Sequence, residues 1–344
     1  MEINKEIFEQ QRRPRFGNSN PEKKQLAFWK WMIRGDGPQP GQPELIMREG
    51  KLKSSYGPYR PRDLFNVPPN LEDGPIWTFD RMGATRTDIP DGRLVCIGGE
   101  HEDFYDPDFC IYNDVVVFDA SGEFEIFGYP KEVFPPTDFH TASLVEGAII
   151  ITGGLGYLNG RRPGHTPVYM LDLENYRISR IETHGEMPGW IYKHQAEYTN
   201  KQLVIRGGEI FEKHQSQQSY RKNFEDYALD LKTRKWQRLT NRNWLQFSIC
   251  QEEGGILRLN RVKDVNKIIP PSLSQFIVPS EKWDCIKFLI EDVPIVFTVG
   301  LLSIEIVVEG SLSWEQSYAV MEKVRLATES AVKGRCTLQK FSPT

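Results

Sequence analysis

The stretch GGEHEDFYDPDF, residues 98 to 109, sets five carboxylates and one histidine into the ten positions after a glycine pair. Carboxylates and imidazoles hold hard cations or move protons, so a metal site or an acid–base centre is the first chemistry to test. The spacing argues against a metal. Calcium loops alternate their ligands, whereas Glu100, His101, Glu102 and Asp103 are consecutive. We read the stretch as a solvated or partner-facing loop, and assign no metal, no cofactor and no catalytic residue. If the chain is an enzyme, His101, His165 and Glu102 are the first candidates. It has no GxGxxG after a strand, no Walker loop, no HExxH and no GxSxG.

The elements that must position this loop recur along the chain. Apolar runs end in a glycine pair at RLVCIGG (Gly98, Gly99), AIIITGG (Gly153, Gly154) and QLVIRGG (Gly207, Gly208), with steps of 55 and 54 residues. Thirteen residues ahead of each pair lie Thr85, His140 and His194, where a further strand-like run begins. After each pair comes a loop, then a third run ending in Asp119, Asp172 or Asp230, then a tight turn and a fourth run. Four short strands per period, separated by turn residues, is how a propeller blade reads in sequence. A metal site belonging to the repeat would repeat its ligands. The second loop, LGYLNGRRPGH, is instead basic, and the third, EIFEKHQSQQSYRKN, is mixed. His140 and His194 recur in phase at a strand start, which suits a structural role between blades better than catalysis.

The third copy, with the double glycine, Tyr227 and DLKTRKW (Asp230 to Trp236), resembles the kelch repeat. The likeness extends over roughly residues 76 to 240. The other copies depart from it: Ile178 stands in the place of Trp236, and Thr85 in the place of the histidine. The resemblance implies a mainly β fold, a kelch-like partial or small β-propeller. Three copies are too few to close a ring, so we expect an open fan capped by other elements. Members of the family are mostly interaction scaffolds. Some kelch-like propellers oxidise or epimerise sugars, and the copper oxidases among them need a cross-linked Cys–Tyr pair that no stretch here matches.

Loop lengths sort the two edges of such blades. The turns IPDG, VEG, TNK, ASG, LEN and KTR are short. The second-to-third-strand loops (Glu100 to Tyr112, Leu155 to Thr166, Glu209 to Phe224) and the links FGYPKEVFPPTDF and THGEMPGWIYK are long. In an antiparallel four-stranded blade both long classes leave from one edge, and function concentrates on elaborated loops. That edge carries the expected partner-binding residues: Glu102, Asp103, Phe104, Tyr105, Tyr129, Phe134, Tyr157, Arg161, Arg162, Trp190 and Tyr192. Aromatic anchors among mixed charges suit a protein interface. The expected function is a non-enzymatic protein-binding module, of which a bacterial, immunity-type inhibitor of a toxin is one form. A carbohydrate-active or sugar-binding protein is the alternative.

The flanks differ in character. Residues 1–75 read as a basic arm with a docked helix. The first 62 residues carry a net +6, so the rest of this chain of net charge −4 carries −10. Asn20 as cap, Pro21, Glu22 and the stop at Gly35 frame the helix, with Leu26, Trp29, Met32 and Ile33 as its stripe. Residues 76–240 hold the repeats. Residues 241–344 read as a small α+β domain whose helix opens on a capping box, Ser313 and Gln316, and ends near Gly334. Five dispersed cysteines and no apolar leader point to a reducing cytoplasm. The net charge makes nucleic acid a poor partner, and no apolar run suits a membrane span.

Overall fold

Each glycine-pair repeat folds as four antiparallel strands in chain order, because each run is just long enough for one strand and ends in a residue that turns the chain. The computed structural model describes residues 4–11, 16–34, 46–48, 51–53, 81–103, 106–214, 217–242, 244–252, 285–300 and 302–341, with a few positions between 257 and 278. By density of contacts the chain divides into Met1–Leu239 and Thr240–Thr344. The fold is mainly β, and among the described residues none of the sheets is closed.

In the first unit, the first repeat pairs Thr85–Asp88, Leu94–Ile97, Val115–Phe118 and Phe124–Gly128. The second pairs Thr141–Val145, Ala148–Thr152, Val168–Asp172 and Ile178–Arg180, and the third Gln195–Thr199, Gln202–Arg206, Tyr227–Asp230 and Lys235–Arg238. The outer edge of the first sheet is extended by Glu22–Lys24, antiparallel to Phe124–Gly128. That of the third is extended by His184–Gly185, parallel to Lys235–Arg238.

The middle repeat explains its own apolar run. Ile149 and Ile151 pack with Val95, Ile97, Val115 and Phe127 of the first repeat. Ile150, pointing the other way, packs with Leu203, Ile205 and Leu229 of the third. A sheet buried on both faces needs no polar alternation. The register places Phe124, Ile178 and Trp236 opposite Phe118, Leu171 and Leu229, so these three fill one equivalent buried position with different shapes. The aspartates cap their turns: Asp119 Oδ1 accepts from the Ser121 and Glu123 N–H groups, Asp172 from Glu174 and Asp230 from Thr233.

The histidine alignment shifts by one residue. Phe139 N–H donates to Gly83 O and Lys193 N–H to Phe139 O, which makes Ala84 the counterpart of His140 and His194. Thr85 matches Thr141, and both threonines are partners of the histidines: His140 Nε2 lies 2.9 Å from Thr85 Oγ1, and His194 Nε2 2.9 Å from Thr141 Oγ1. The glycine pairs lie against the same segments. A Cβ on Gly98 would stand 2.4 Å from Thr137 O, and one on Gly153 2.3 Å from Ile191 O.

The N-terminal helix starts later than its cap signals indicate. Asn20 does not cap; its side chain exchanges two hydrogen bonds with the backbone of Ile178, of 2.7 and 2.9 Å. Glu22–Lys24 is strand, and the helix spans Ala27–Arg34 after a shorter one, Lys5–Gln11. It docks through Phe28 and Trp29, which are buried. Trp29 meets Tyr112 edge-on at 5.8 Å. The Arg81 guanidinium lies 3.5 Å from the Tyr112 ring centroid and is paired with Asp114.

The second unit is a six-stranded sheet in the order Ile277–Val278, Cys285–Ile290, Val293–Val299, Ser303–Val308, Leu245–Gln251, Cys336–Phe341, with the helix Trp314–Val332. Leu245–Gln251 pairs on both sides inside this sheet, so it begins no fourth repeat. Ser313 and Gln316 form the capping box, and Lys333 closes the helix in the left-handed region ahead of Gly334. The buried stripe is Ser317, Val320, Met321, Val324 and Thr328. Tyr318 is exposed.

Candidate functional site

The long segments of the second repeat and of both links meet in a cleft of about 400 Å3. Lys131, Pro135, Pro136 and Thr137 come from the first link. Tyr157, Asn159, Arg162 and His165 come from the loop of the second repeat, Tyr169 and Arg180 from its strands, and Trp190 from the second link. Loop and links thus share one edge.

Local hydrogen bonds fix the walls. Asp138, fully buried in the first link, accepts the Gly156 N–H through Oδ1 at 2.7 Å. Burial pushes its carboxyl up from the ordinary range. The Arg161 guanidinium turns back onto Leu155 O (3.0 Å), Gly156 O (2.8 Å) and Tyr220 Oη (2.5 Å). The Trp190 indole N–H donates to Leu155 O at 3.0 Å. A turn at Leu158–Gly160 then presents Arg162 and His165.

Charge on the lining is of one sign. Among the described residues, Lys131, Arg162 and Arg180 line the cleft, and no Asp or Glu does. Arg180 shares its charge with exposed Glu182, Nε to Oε1 at 2.9 Å. His165 Nε2 lies 3.2 Å from Arg180 Nη2. An arginine only donates, so Nε2 is the acceptor and the ring proton sits on Nδ1. Burial first, then the Arg180 and Arg162 charges, lower the His165 pKa, so the ring is neutral near pH 7.

The residues expected to bind a partner divide. Tyr157 is exposed (39%), as is Phe109 (46%), and their rings meet edge-on at 6.2 Å. Arg162 is exposed, and Trp190 is half-buried. Tyr129, Phe134 and Tyr192 are corrections: all three are buried and offer no anchor to a partner. The Tyr129 hydroxyl donates to Tyr176 O at 2.8 Å, its ring packs on Phe134, and Phe134 packs on Tyr169. The Tyr192 hydroxyl is bound by Glu209. Arg161 is half-buried, its guanidinium held by Leu155 O and Gly156 O of its own loop and by Tyr220 Oη of the third repeat.

Glu102 and Asp103 lie on the strand Glu100–Asp103, which pairs with Asp106–Ile111, so the acidic stretch is a hairpin. Phe104 and Tyr105 lie outside the described residues. Among the described residues no group of three or more His, Cys, Asp and Glu is placed to hold a metal ion. None of the described helices is long and apolar enough to cross a membrane.

Sequence reasoning missed Lys131, Tyr169 and Arg180 as companions of Arg162. They are dispersed over fifty positions, and no linear spacing links them. The length of the first link was the one local sign.

No family model matches the chain, and no curated protein does. Among solved structures it is similar to one titled "Structure of YjhT", with 12% identity and a TM-score of 0.33 over 64% of this chain and 63% of that one. A second is a mutant of Trypanosoma rangeli sialidase displaying trans-sialidase activity, with 8% identity and a TM-score of 0.25 over 76% and 58%. The chain thus spans less than two thirds of either protein. Likenesses this remote fix neither a family nor an activity.

Proposed function

We propose that the chain is a non-enzymatic protein-binding module that docks its partner on the long-loop edge of three kelch-like repeats. One observation carries the reading: the loop and links converge on one edge, where exposed Phe109 and Tyr157 stand beside a cleft lined by Lys131, Arg162 and Arg180. Exposed aromatics and arginine are what interface hot spots use.

The test begins with affinity purification from the native host and mass spectrometry, followed by titration of the purified partner. Tyr157→Ala and Arg162→Glu should each weaken binding by about 2 kcal/mol or more with the melting temperature nearly unchanged. Glu174→Lys and Lys232→Glu, on the short-turn edge, should leave binding intact. Loss of binding in the short-turn variants with normal binding in the other two inverts the edge assignment and ends the proposal.

A further inference from the structure

Going beyond partner docking, we infer that the cleft is a binding site for a small organic anion, a carboxylate or phosphate group carried on a flat apolar body. The charge comes first. Lys131, Arg162 and Arg180 reach one cavity from a link, a loop and an outer strand, and among the described residues no carboxylate lines it. Among the described residues Arg162 has no side-chain partner, while the Lys131 ammonium lies 4.0 Å from the Phe16 ring centroid. Glu182, which neutralises part of Arg180, is 71% exposed and outside the lining. The carboxylate of Asp138 behind the wall is engaged by the Gly156 N–H. Like charges gathered on one wall repel, and an anion among them relieves that repulsion while gaining charge-assisted hydrogen bonds.

The shape supplies the rest of the ligand. A cleft of about 400 Å3 lies within the range of small-molecule sites and exceeds the needs of a lone phosphate. Beyond the cations its lining includes Pro135, Pro136, Tyr157, Tyr169 and Trp190, which suits a flat apolar body. Trp190 is held by its bond to Leu155 O, so this wall is already in place without ligand. His165 adds no charge; it is a neutral ring with its proton on Nδ1, available as a donor. Arginine favours planar carboxylate and phosphate groups because its fork binds two oxygens at once.

The test is calorimetric titration of the whole chain with four probes of one shape: benzoate, phenyl phosphate, neutral benzamide and cationic benzylamine. Benzoate, phenyl phosphate or both should bind at one site per chain with a Kd on the order of 1 mM, as expected for so few atoms. Benzamide and benzylamine should bind at least about fivefold more weakly, because they forgo the charge-assisted bonds. Inorganic phosphate should bind more weakly than phenyl phosphate, since it lacks the body. The double variant Lys131→Gln, Arg162→Gln should lose at least about fivefold of the benzoate or phenyl phosphate affinity at an unchanged melting temperature, whereas Lys232→Gln should lose none. Benzamide binding as tightly as both anions, full affinity in the double variant, or no saturable binding of either anion overturns the inference. The docking proposal is judged separately. Tyr157→Ala breaking partner binding while neither anion binds removes this site and leaves docking; anion binding with intact docking in Tyr157→Ala and Arg162→Glu does the reverse.

Discussion

His140 and His194 are buried, and each imidazole has its Nε2 on a threonine hydroxyl and no hydrogen-bond partner at Nδ1. Burial depresses both pKa values, to about 3 for His140 and about 4 for His194, against an ordinary 6.5. An unfolded chain therefore binds protons at these rings below pH 6.5 that the folded chain refuses. Their neutral form is compatible with the fold above pH 6.5, and stability is lost as pH falls from there toward 4 and 3. Each ring contributes at most one proton, a slope of about 1.4 kcal/mol per pH unit. Urea unfolding between pH 7 and 4.5 should show a smaller slope for His140→Gln than for the parent chain. Parallel curves would mean that the ring titrates freely. Trp236 is fully buried, with its indole N–H 3.1 Å from Thr183 Oγ1, so Trp236→Ala should destabilise by about 3–5 kcal/mol. A loss under about 1 kcal/mol would contradict its place in the core between repeats.

Among the elements, the glycine pairs separate two requirements. Gly153 and Gly207 have almost the same backbone, with φ of 66° and 62°. A Cβ on Gly153 would collide with Ile191 O at 2.3 Å, while one on Gly207 meets nothing within 4 Å. Gly207→Ala should therefore cost only the left-handed strain, about 1–2 kcal/mol. Gly153→Ala should cost at least about 2 kcal/mol more, because the next segment must shift. Equal losses in thermal or urea unfolding would mean that the first glycine of a pair serves its own turn and not the contact with the following repeat. In the second unit, Ser313→Ala removes the acceptor for the Gln316 N–H and should cost about 1 kcal/mol, and Ser313→Gly should cost less.

At the scale of the whole molecule, each unit encloses its own core. Phe247, Phe288, Phe297, Ile306 and Met321 close one; Ile151, Leu203 and Trp236 belong to the clusters of the other. Calorimetry should resolve two transitions that respond to different substitutions. Met321→Ala should lower one by the roughly 2–5 kcal/mol of a buried truncation, and Trp236→Ala should lower the other. A single transition that both variants shift equally would show the two units to be one cooperative body. Chelation gives an independent check on the acidic hairpin. The melting temperature should be the same with and without EDTA, and a drop would reopen the metal reading of Glu100 to Asp103.

Strand count, turn positions and the α+β character of the last hundred residues were legible in the chain because their causes are local. A glycine pair permits positive φ, an aspartate caps its own turn, and Ser313 with Gln316 closes a helix start, whatever lies nearby. The continuous run of Ile149, Ile150 and Ile151 follows from burial on both faces of its sheet. Local cues failed wherever a distant partner competed. Asn20, Pro21 and Glu22 spell a helix start, yet Ile178 claims the Asn20 amide and Phe124–Gly128 claims Glu22–Lys24 as a strand. Tyr129, Phe134 and Tyr192 sit in links that look like surface by their prolines and charges. Packing between repeats buries Tyr129 and Phe134, and pairing with Glu209–His214 places Tyr192 against Tyr220. The cleft lies furthest from the linear code: Lys131, Arg162, His165, Tyr169, Arg180 and Trp190 come together because strand pairing stacks one repeat beside the next, a geometry that no spacing along the chain encodes.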